Sequence, residues 1–579
     1  MTGQNIENIF NLALSLSPME RAGTENLNVG YDPVSQEWEV ILKYSGVLDE
    51  VRKHVNSLVI LRCGYALATV TEEQLRVVSK IPQVEFIEKP KRLFFQVKNS
   101  RRVSCIDSVQ EPFFDSEGLS GEGILIGILD SGIDISNREF INEDGKTRIL
   151  RLWDQTVPGN PPEGYTLGSI YDAMDIDGIL QRKTGNELPG MDLSGHGTSV
   201  AGIAAGNGRS SGGIYRGVAY KADMVVVKLG RPRRQGFPRT TELMQGLNYL
   251  IDVAQEFRRP IAVNISFGNT YGSHNGTSLL EKYIDEMSNI GRNVICVGMG
   301  NEAAGIGHTS GIVKEDREEV VELFVQSQQT GFSLQIWKSY VDETGLAFIS
   351  PSGELAGPVS LSLGTQRFRA GAADILLYYG EPKPYSVAQE IYIEFVPEDQ
   401  YVMPGIWKII LTPLNIVRGN YEMWLPTQTI LNIGTGFVRS NEKITLTIPS
   451  TSRQAVSVGA YNAENNTYAE FSGRGYVLGD GQVKPDLAAP GVNIVTTAPG
   501  EETVTVTGTS FSTPFVTGAS ALLMEWGILR GNDPYLYGEK VRAFLRKGAK
   551  HLPAFKDYPN TWIGFGVLCL KDSIPGERF

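Results

Sequence analysis

The sequence predicts an α/β protein on a doubly wound parallel sheet, with an N-terminal α/β module and an inserted β-sandwich. Three patterns predict it. Short, largely apolar runs at residues 123–129, 224–227, 261–265 and 293–297 alternate with amphipathic stretches such as 241–257, as expected of strands covered on both faces of a parallel sheet. Ahead of them, residues 1–96 carry a separate, shorter alternation of strand and helix signals. From 312 to 443 the texture turns to polar-alternating strands broken by turn residues, an antiparallel pattern set inside the α/β one.

In chain order, the first module reads as a strand over 37–44, a helix near 48–55 and a strand over 66–70. A second helix follows, opened by Thr71 and Gln74 at capping-box spacing, and then a strand over 84–88. Residues 97–311 form the first part of the parallel-sheet domain. The insert, 312–443, reads as strands over 320–325, 332–337, 346–349, 390–395 and 406–411, with turns at Pro351-Ser352-Gly353 and Pro404-Gly405. Residues 444–579 complete the α/β domain, with a strand over 455–458 and a long helix beginning near Ser510.

At 579 residues the chain has room for several domains of about 150 residues each. A net charge of −12 argues against nucleic acid as partner, and the basic runs (Arg231, Arg233 and Arg234; 540–550) read as solvated faces. No apolar run reaches the roughly 18 residues of a membrane span. Residues 1–19 lack a positive n-region and carry Glu7, so no signal peptide is read and synthesis in the cytoplasm is expected. Cys63, Cys105, Cys296 and Cys569 are widely spaced and form no metal-type pair; they read as buried free thiols without a disulfide framework.

Three motifs carry chemistry. Asp130 ends the first buried strand in Leu129-Asp130-Ser131-Gly132. His196 sits in Ser194-Gly195-His196-Gly197-Thr198, leading into a helix of small residues. Ser510 sits in Gly508-Thr509-Ser510-Phe511-Ser512 at the start of the last long helix. A serine hydroxyl needs an adjacent base, histidine can take the proton and return it to a leaving amine, and a carboxylate fixes the histidine tautomer. Asn301, in Gly298-Met299-Gly300-Asn301 after a buried strand, can donate its amide to a developing oxyanion, beside the Ser510 backbone N–H. Glycines 195, 197, 298, 300 and 508 would let backbone run close to substrate. Alone, Asp-Ser-Gly is a turn, a single histidine is commonly a core residue, and Gly-Thr-Ser is an N-cap. Together, in the order Asp, His, Asn, Ser at strand ends and helix starts, they point to peptide hydrolysis. His54, His274, His308 and His551 have no such setting and read as structural or surface residues.

These segments resemble the subtilisin family of serine proteases, and so does Lys484-Pro485-Asp486-Leu487-Ala488-Ala489-Pro490-Gly491, which precedes the nucleophile. The resemblance covers residues 97–311 and 444–579. It implies Asp130, His196 and Ser510 as catalytic triad and Asn301 as oxyanion donor. Ser266, Phe267 and Gly268 would be the substrate-binding strand walling the S1 pocket, with Gly298 and Gly300 opposite. Residues 1–96 resemble the family's propeptide, a chaperone and inhibitor whose tail (Leu93-Phe94-Phe95-Gln96) occupies the cleft, with scission expected between Gln96 and Val97. A β-sandwich between Asn301 and Ser510 resembles the jelly roll of the clostridial Csp-type germination proteases. That likeness implies a spore protease of the coat or cortex region whose protein substrate is a cortex-lytic hydrolase zymogen. The loop 205–215 lacks the carboxylates of a calcium site, so no metal or other cofactor is expected. Two other readings stay open: a general intracellular or secreted protease, and a protease-like scaffold, silenced by its propeptide or sensing a germinant.

Overall fold

The computed structural model describes residues 5–16, 27, 30–90, 96–111, 118–182, 188–231, 238–477 and 482–575. The chain divides into two compact units, Met1–Phe95 and Gln96–Phe579.

The first unit is an antiparallel sheet. Glu37–Tyr44 pairs with Tyr65–Thr71, which pairs with Ser57–Ile60; Tyr31–Asp32 and Val84–Glu88 pair with opposite ends of Glu37–Tyr44. Alternation puts Trp38, Val40 and Leu42 on the buried face, where Phe10 of the helix Asn8–Ser15 packs edge-on to Trp38 at 5.0 Å. The helix Glu72–Val78 starts at the expected capping box: Gln74 N donates to Thr71 Oγ1 at 3.2 Å and Thr71 N to Gln74 Oε1 at 2.8 Å. The edge strand Ser57–Ile60 was not expected. Its exposed Val59 and Ile60 give it no half-buried period to read.

The second unit is built on the expected parallel sheet. Its central order is Val456–Asn462, Asn293–Gly298, Ile261–Ile265, Leu125–Asp130, Asp223–Lys228 and Ile149–Asp154, all neighbours parallel. Side chains alternate between two apolar cores. Ile126, Ile128, Val226 and Val294 face the helices His196–Ala205 and Thr509–Met524. Leu125, Leu129, Val227 and Val263 face the helices Thr240–Glu256 and Leu279–Met287. Burying each such side chain contributes about 1.5–3 kcal/mol, and the double covering explains why these strands read as continuous apolar runs. By the same alternation Asp130 falls on the face covered by the helices that begin with His196 and Thr509. No helix among the described residues is long and apolar enough to cross a membrane.

The insert is two antiparallel sheets around one core. One runs in the order His308–Ile312, Asn420–Trp424, Phe332–Ser339, Ala388–Pro397, Ala373–Tyr379 and Gly364–Ala370. The other runs Leu355–Val359, Glu343–Ile349, Gly405–Asn415, Glu319–Val325 and Gly436–Phe437.

The cysteines depart from expectation. Cys105 and Cys569 form a disulfide with their Cα atoms 4.8 Å apart, Cys63 is exposed, and only Cys296 is a buried free thiol. Their partnership is a tertiary fact, 464 residues apart in the chain, and spacing alone cannot reveal it.

Candidate active site

Asp130 lies fully buried at the C-terminal end of the central strand Leu125–Asp130, where groups from distant segments of an open parallel sheet converge. His196 is the first residue of its helix. Its Nδ1 lies 2.7 Å from Asp130 Oδ1, which also accepts Ser131 N at 2.7 Å. With Nδ1 held there and no hydrogen-bond partner on its other nitrogen among the described residues, the imidazole is held as a base oriented by a carboxylate.

The histidine is positioned by an acid that the sequence reading passed over. Asp192 is buried, and its Oδ2 accepts both the amide and the hydroxyl of Thr198 at 2.8 Å. Its Oδ1 accepts Gly195 N at 3.0 Å and the Ser131 hydroxyl at 2.8 Å. One carboxylate thus takes the Gly195 and Thr198 amides at the start of the His196 helix and, through the Ser131 hydroxyl, ties that start to the Asp130 turn, while the His196 and Gly197 amides go to the hydroxyls of Ser194 and Ser131. Its signal was its place four residues ahead of the histidine, in Met191-Asp192-Leu193-Ser194. Burial disfavours the charged form of His196, but the Asp130 carboxylate and its hydrogen bond, then Asp192, outweigh it, so its pKa is raised.

Ser510 sits in the first turn of Thr509–Met524, after Gly508 at φ 151°. Its hydroxyl rests 3.3 Å from the Ser266 carbonyl. Pro514, one turn on, has no N–H to give to the Ser510 carbonyl. That carbonyl instead accepts the Ser266 hydroxyl at 3.1 Å. Ser266 is aligned in turn by Asn264 Nδ2 at 2.9 Å, and Asn264 by the Thr517 hydroxyl at 3.1 Å. Asn264, a polar residue within a wholly buried strand, was legible as an anomaly and was not singled out.

Phe511 and Phe267 pack around the imidazole, with ring centroids 5.2 and 6.2 Å from it. Asn301 Oδ1 accepts the amide and hydroxyl of Thr509 at 3.1 and 3.2 Å. The triad candidates, Asn301, Ser266 and Phe267 therefore gather at one sheet edge. Gly298 ends its strand against Thr513, and a Cβ there would lie 2.9 Å from Thr513 Oγ1. Gly268 and Gly300 face Thr447 from two sides, where Cβ atoms would come within 2.4 Å of its side chain. Gly197 serves packing rather than substrate approach, since a Cβ there would lie 2.1 Å from the Gly132 carbonyl. Gln96 and Val97 open the helix Gln96–Val103, whereas Leu93, Phe94 and Phe95 of the expected tail lie outside the described residues. His274 and His308 are buried, consistent with structural roles.

Comparison with known proteins shows which family the chain resembles. Residues 121–323 and 419–566 match the subtilase family, and residues 4–91 match the Csp protease B prodomain. The solved structure of the Clostridium perfringens CspB protease is similar at 38% identity and a TM-score of 0.75, over 82% of this chain and 96% of that one. Among curated proteins, the minor extracellular protease Vpr of Bacillus subtilis is 22% identical over 79% of this chain and 52% of its own length. Serine protease AprX of the same organism is 29% identical over 23% of this chain and 32% of its own. The chain thus spans about a third to a half of these curated relatives' length.

Proposed function

Because the chain belongs to the subtilase family, in the Csp-type branch that carries a CspB prodomain, we propose that it is a serine endopeptidase that processes its own N-terminal region and then cleaves a protein substrate. The 2.7 Å contact between His196 and a buried Asp130, beside the Ser510 helix start, carries the reading. For attack the Ser510 hydroxyl must leave the Ser266 carbonyl, where it rests, for the imidazole. His196 then accepts the proton as Ser510 attacks the peptide carbonyl. Asn301 and the Ser510 amide, at a helix N-terminus, donate to the oxyanion. His196 returns the proton to the leaving amine, and water releases the acyl group by the reverse path.

Self-cleavage is proposed near residue 96, where the chain passes from its first compact unit to its second. Protease clefts take extended chain, so the Gln96–Val97 bond must leave its helix to be cut. By the family reading, the processed propeptide occupies the cleft as inhibitor until substrate displaces it. Within the family reading, the substrate is a cortex-lytic hydrolase zymogen cleaved during germination, the enzyme resides in the spore coat or cortex region, and the insert is a jelly roll.

Intact-mass analysis of the purified chain tests the reading. Wild type is expected to split near residue 96 and Ser510→Ala to stay whole, with turnover lowered about 10⁶-fold. Both chains staying whole would favour a silent scaffold, a reading that the Ser510 hydroxyl's resting contact with Ser266 supports. Cleavage of casein as fast as of a cortex hydrolase precursor would sink the germination assignment.

A further inference from the structure

The insert reaches the substrate-binding wall through one row of side chains. The strands His308–Ile312, Asn420–Trp424 and Phe332–Ser339 lie side by side, and their register sets both His308 and Gln335 opposite Trp424. Residues opposed in this way share a face of the sheet. That face meets the turn that follows Ser266, Phe267 and Gly268.

The contact is dense and polar. The His274 ring stacks on Trp424 at 4.3 Å and 15°, and the His308 ring at 4.9 Å and 23°. His274 Nδ1 and Nε2 lie 2.7 Å from the Leu446 carbonyl and 3.2 Å from that of Thr270. His308 spans the Asn441 carbonyl and the Glu422 carboxylate, each at 2.8 Å. Trp424 Nε1 donates to Ile444 O at 3.2 Å, and the Thr270 hydroxyl to Leu425 O at 2.8 Å. Trp424, His274 and His308 are each at most 3% exposed. Burial pushes His274 down to about 4, against the two carbonyls that favour its charged form.

We propose that Trp424 is a positioning residue for peptide binding: it fixes the Thr270–His274 turn and, through it, the wall at Ser266, Phe267 and Gly268. The path is short. Thr270 is tied to the insert, and Asn269 exchanges backbone bonds with Ile448 at 2.9 and 2.8 Å. Three residues before Asn269, the Ser266 carbonyl faces the Ser510 hydroxyl. An extended substrate binds along such a wall through its backbone. A small activated ester needs only the nucleophile, base and oxyanion donors. This inference rests on the protease reading above.

The test compares kcat and KM of the full chain on a tetrapeptide p-nitroanilide and on p-nitrophenyl acetate. Trp424→Leu is expected to lower kcat/KM for the peptide ~10–100-fold, mainly through KM, as small misplacements do, and to leave the ester rate within about twofold. Trp424→Phe, which keeps a stacking ring, should recover most of the peptide activity. Should Trp424→Leu not fold, Thr270→Val, which removes the bond to Leu425, carries the same expectation at smaller size. Equal losses on both substrates, or none on either, would overturn the proposal. Wild type that turns over neither substrate would instead overturn the protease reading on which it rests.

Discussion

Thr509 holds Asn301 by its oxygen. The Thr509 amide can only donate, so the side-chain atom 3.1 Å from it is Asn301 Oδ1, and the Thr509 hydroxyl at 3.2 Å reinforces the choice. Asn301 Nδ2 is thereby turned toward the backbone bend at Gly508. Thr509 Oγ1 also accepts Gly300 N at 3.1 Å, so one side chain orients both the donor and the turn that presents it.

Asn301→Ala is therefore expected to lower kcat ~10²–10³-fold, as loss of one oxyanion donor does, with KM little changed because the charge develops only in the transition state. Thr509→Val keeps the shape and the amide bond but loses the hydroxyl, and should lower kcat about tenfold. Steady-state kinetics on a peptide substrate measure both. A rise in KM with kcat intact in Asn301→Ala would remove Asn301 from the oxyanion site.

The acid limb of kcat/KM should lie above the 6.5 of an ordinary histidine. Burial opposes the imidazolium, yet the Asp130 carboxylate at 2.7 Å, and Asp192 behind it, favour it more strongly. The base works only when neutral, and a raised pKa keeps it protonated to higher pH, so activity falls as pH drops through that raised value. Asp130→Asn should move the limb toward acid while lowering kcat about 10⁴-fold. Asp192→Asn should move it less, with partial loss of activity from a loosened helix start. A limb unmoved in Asp130→Asn would show that another group sets the profile.

Much of this was legible because the sheet is covered on both faces: the runs at 125–129, 224–227, 261–265 and 293–297 are apolar save Asn264 and Asn293, and the site motifs stand at their ends. The strand Ile149–Asp154 was missed because Arg151 interrupts its run; that side chain leaves the sheet to meet Glu256 at 3.0 Å. Asp192 was missed for another reason. It works by accepting backbone amides, and its place four residues ahead of His196 is the one mark of that role in the sequence.

The Cys105–Cys569 disulfide joins the segment just after the first unit to the last short helix, Leu570–Ser573, and closes nearly all of the second unit into one loop. A cross-link stabilises chiefly by restricting the unfolded chain, and removing one typically costs about 2–5 kcal/mol. Cys105→Ser and the double variant Cys105→Ser/Cys569→Ser should lose similar stability in urea, and reduction should destabilise wild type but not the double variant. Peptide mapping without reductant should recover the two cysteines in one linked fragment. Recovery as free thiols in oxidised protein would sink the assignment.

Asp486 anchors the segment leading to the nucleophile helix. It is fully buried with Lys484 beside it at 3.2 Å. Its Oδ1 accepts Arg542 Nε and Arg546 Nε at 2.6 Å, and its Oδ2 accepts the Ser457 amide at 2.8 Å and hydroxyl at 3.0 Å. Burial alone would raise the pKa of this carboxyl, but Arg542, Lys484 and Arg546 hold it well below the usual carboxylate range. The strand Leu487–Pro490 starts at the next residue, and the Gly491 carbonyl beyond it accepts Gly508 N at 2.9 Å, just ahead of Ser510. Asp486→Ala would strand buried cations without their counter-charge, which costs about 3–5 kcal/mol, and should slow self-cleavage by loosening the Gly508 bend. Lys221→Ala, breaking an exposed pair with Glu122, should cost at most about 1 kcal/mol. Urea unfolding of both variants decides the matter: a loss in Asp486→Ala no larger than in Lys221→Ala would mean that the cluster contributes geometry without net stability.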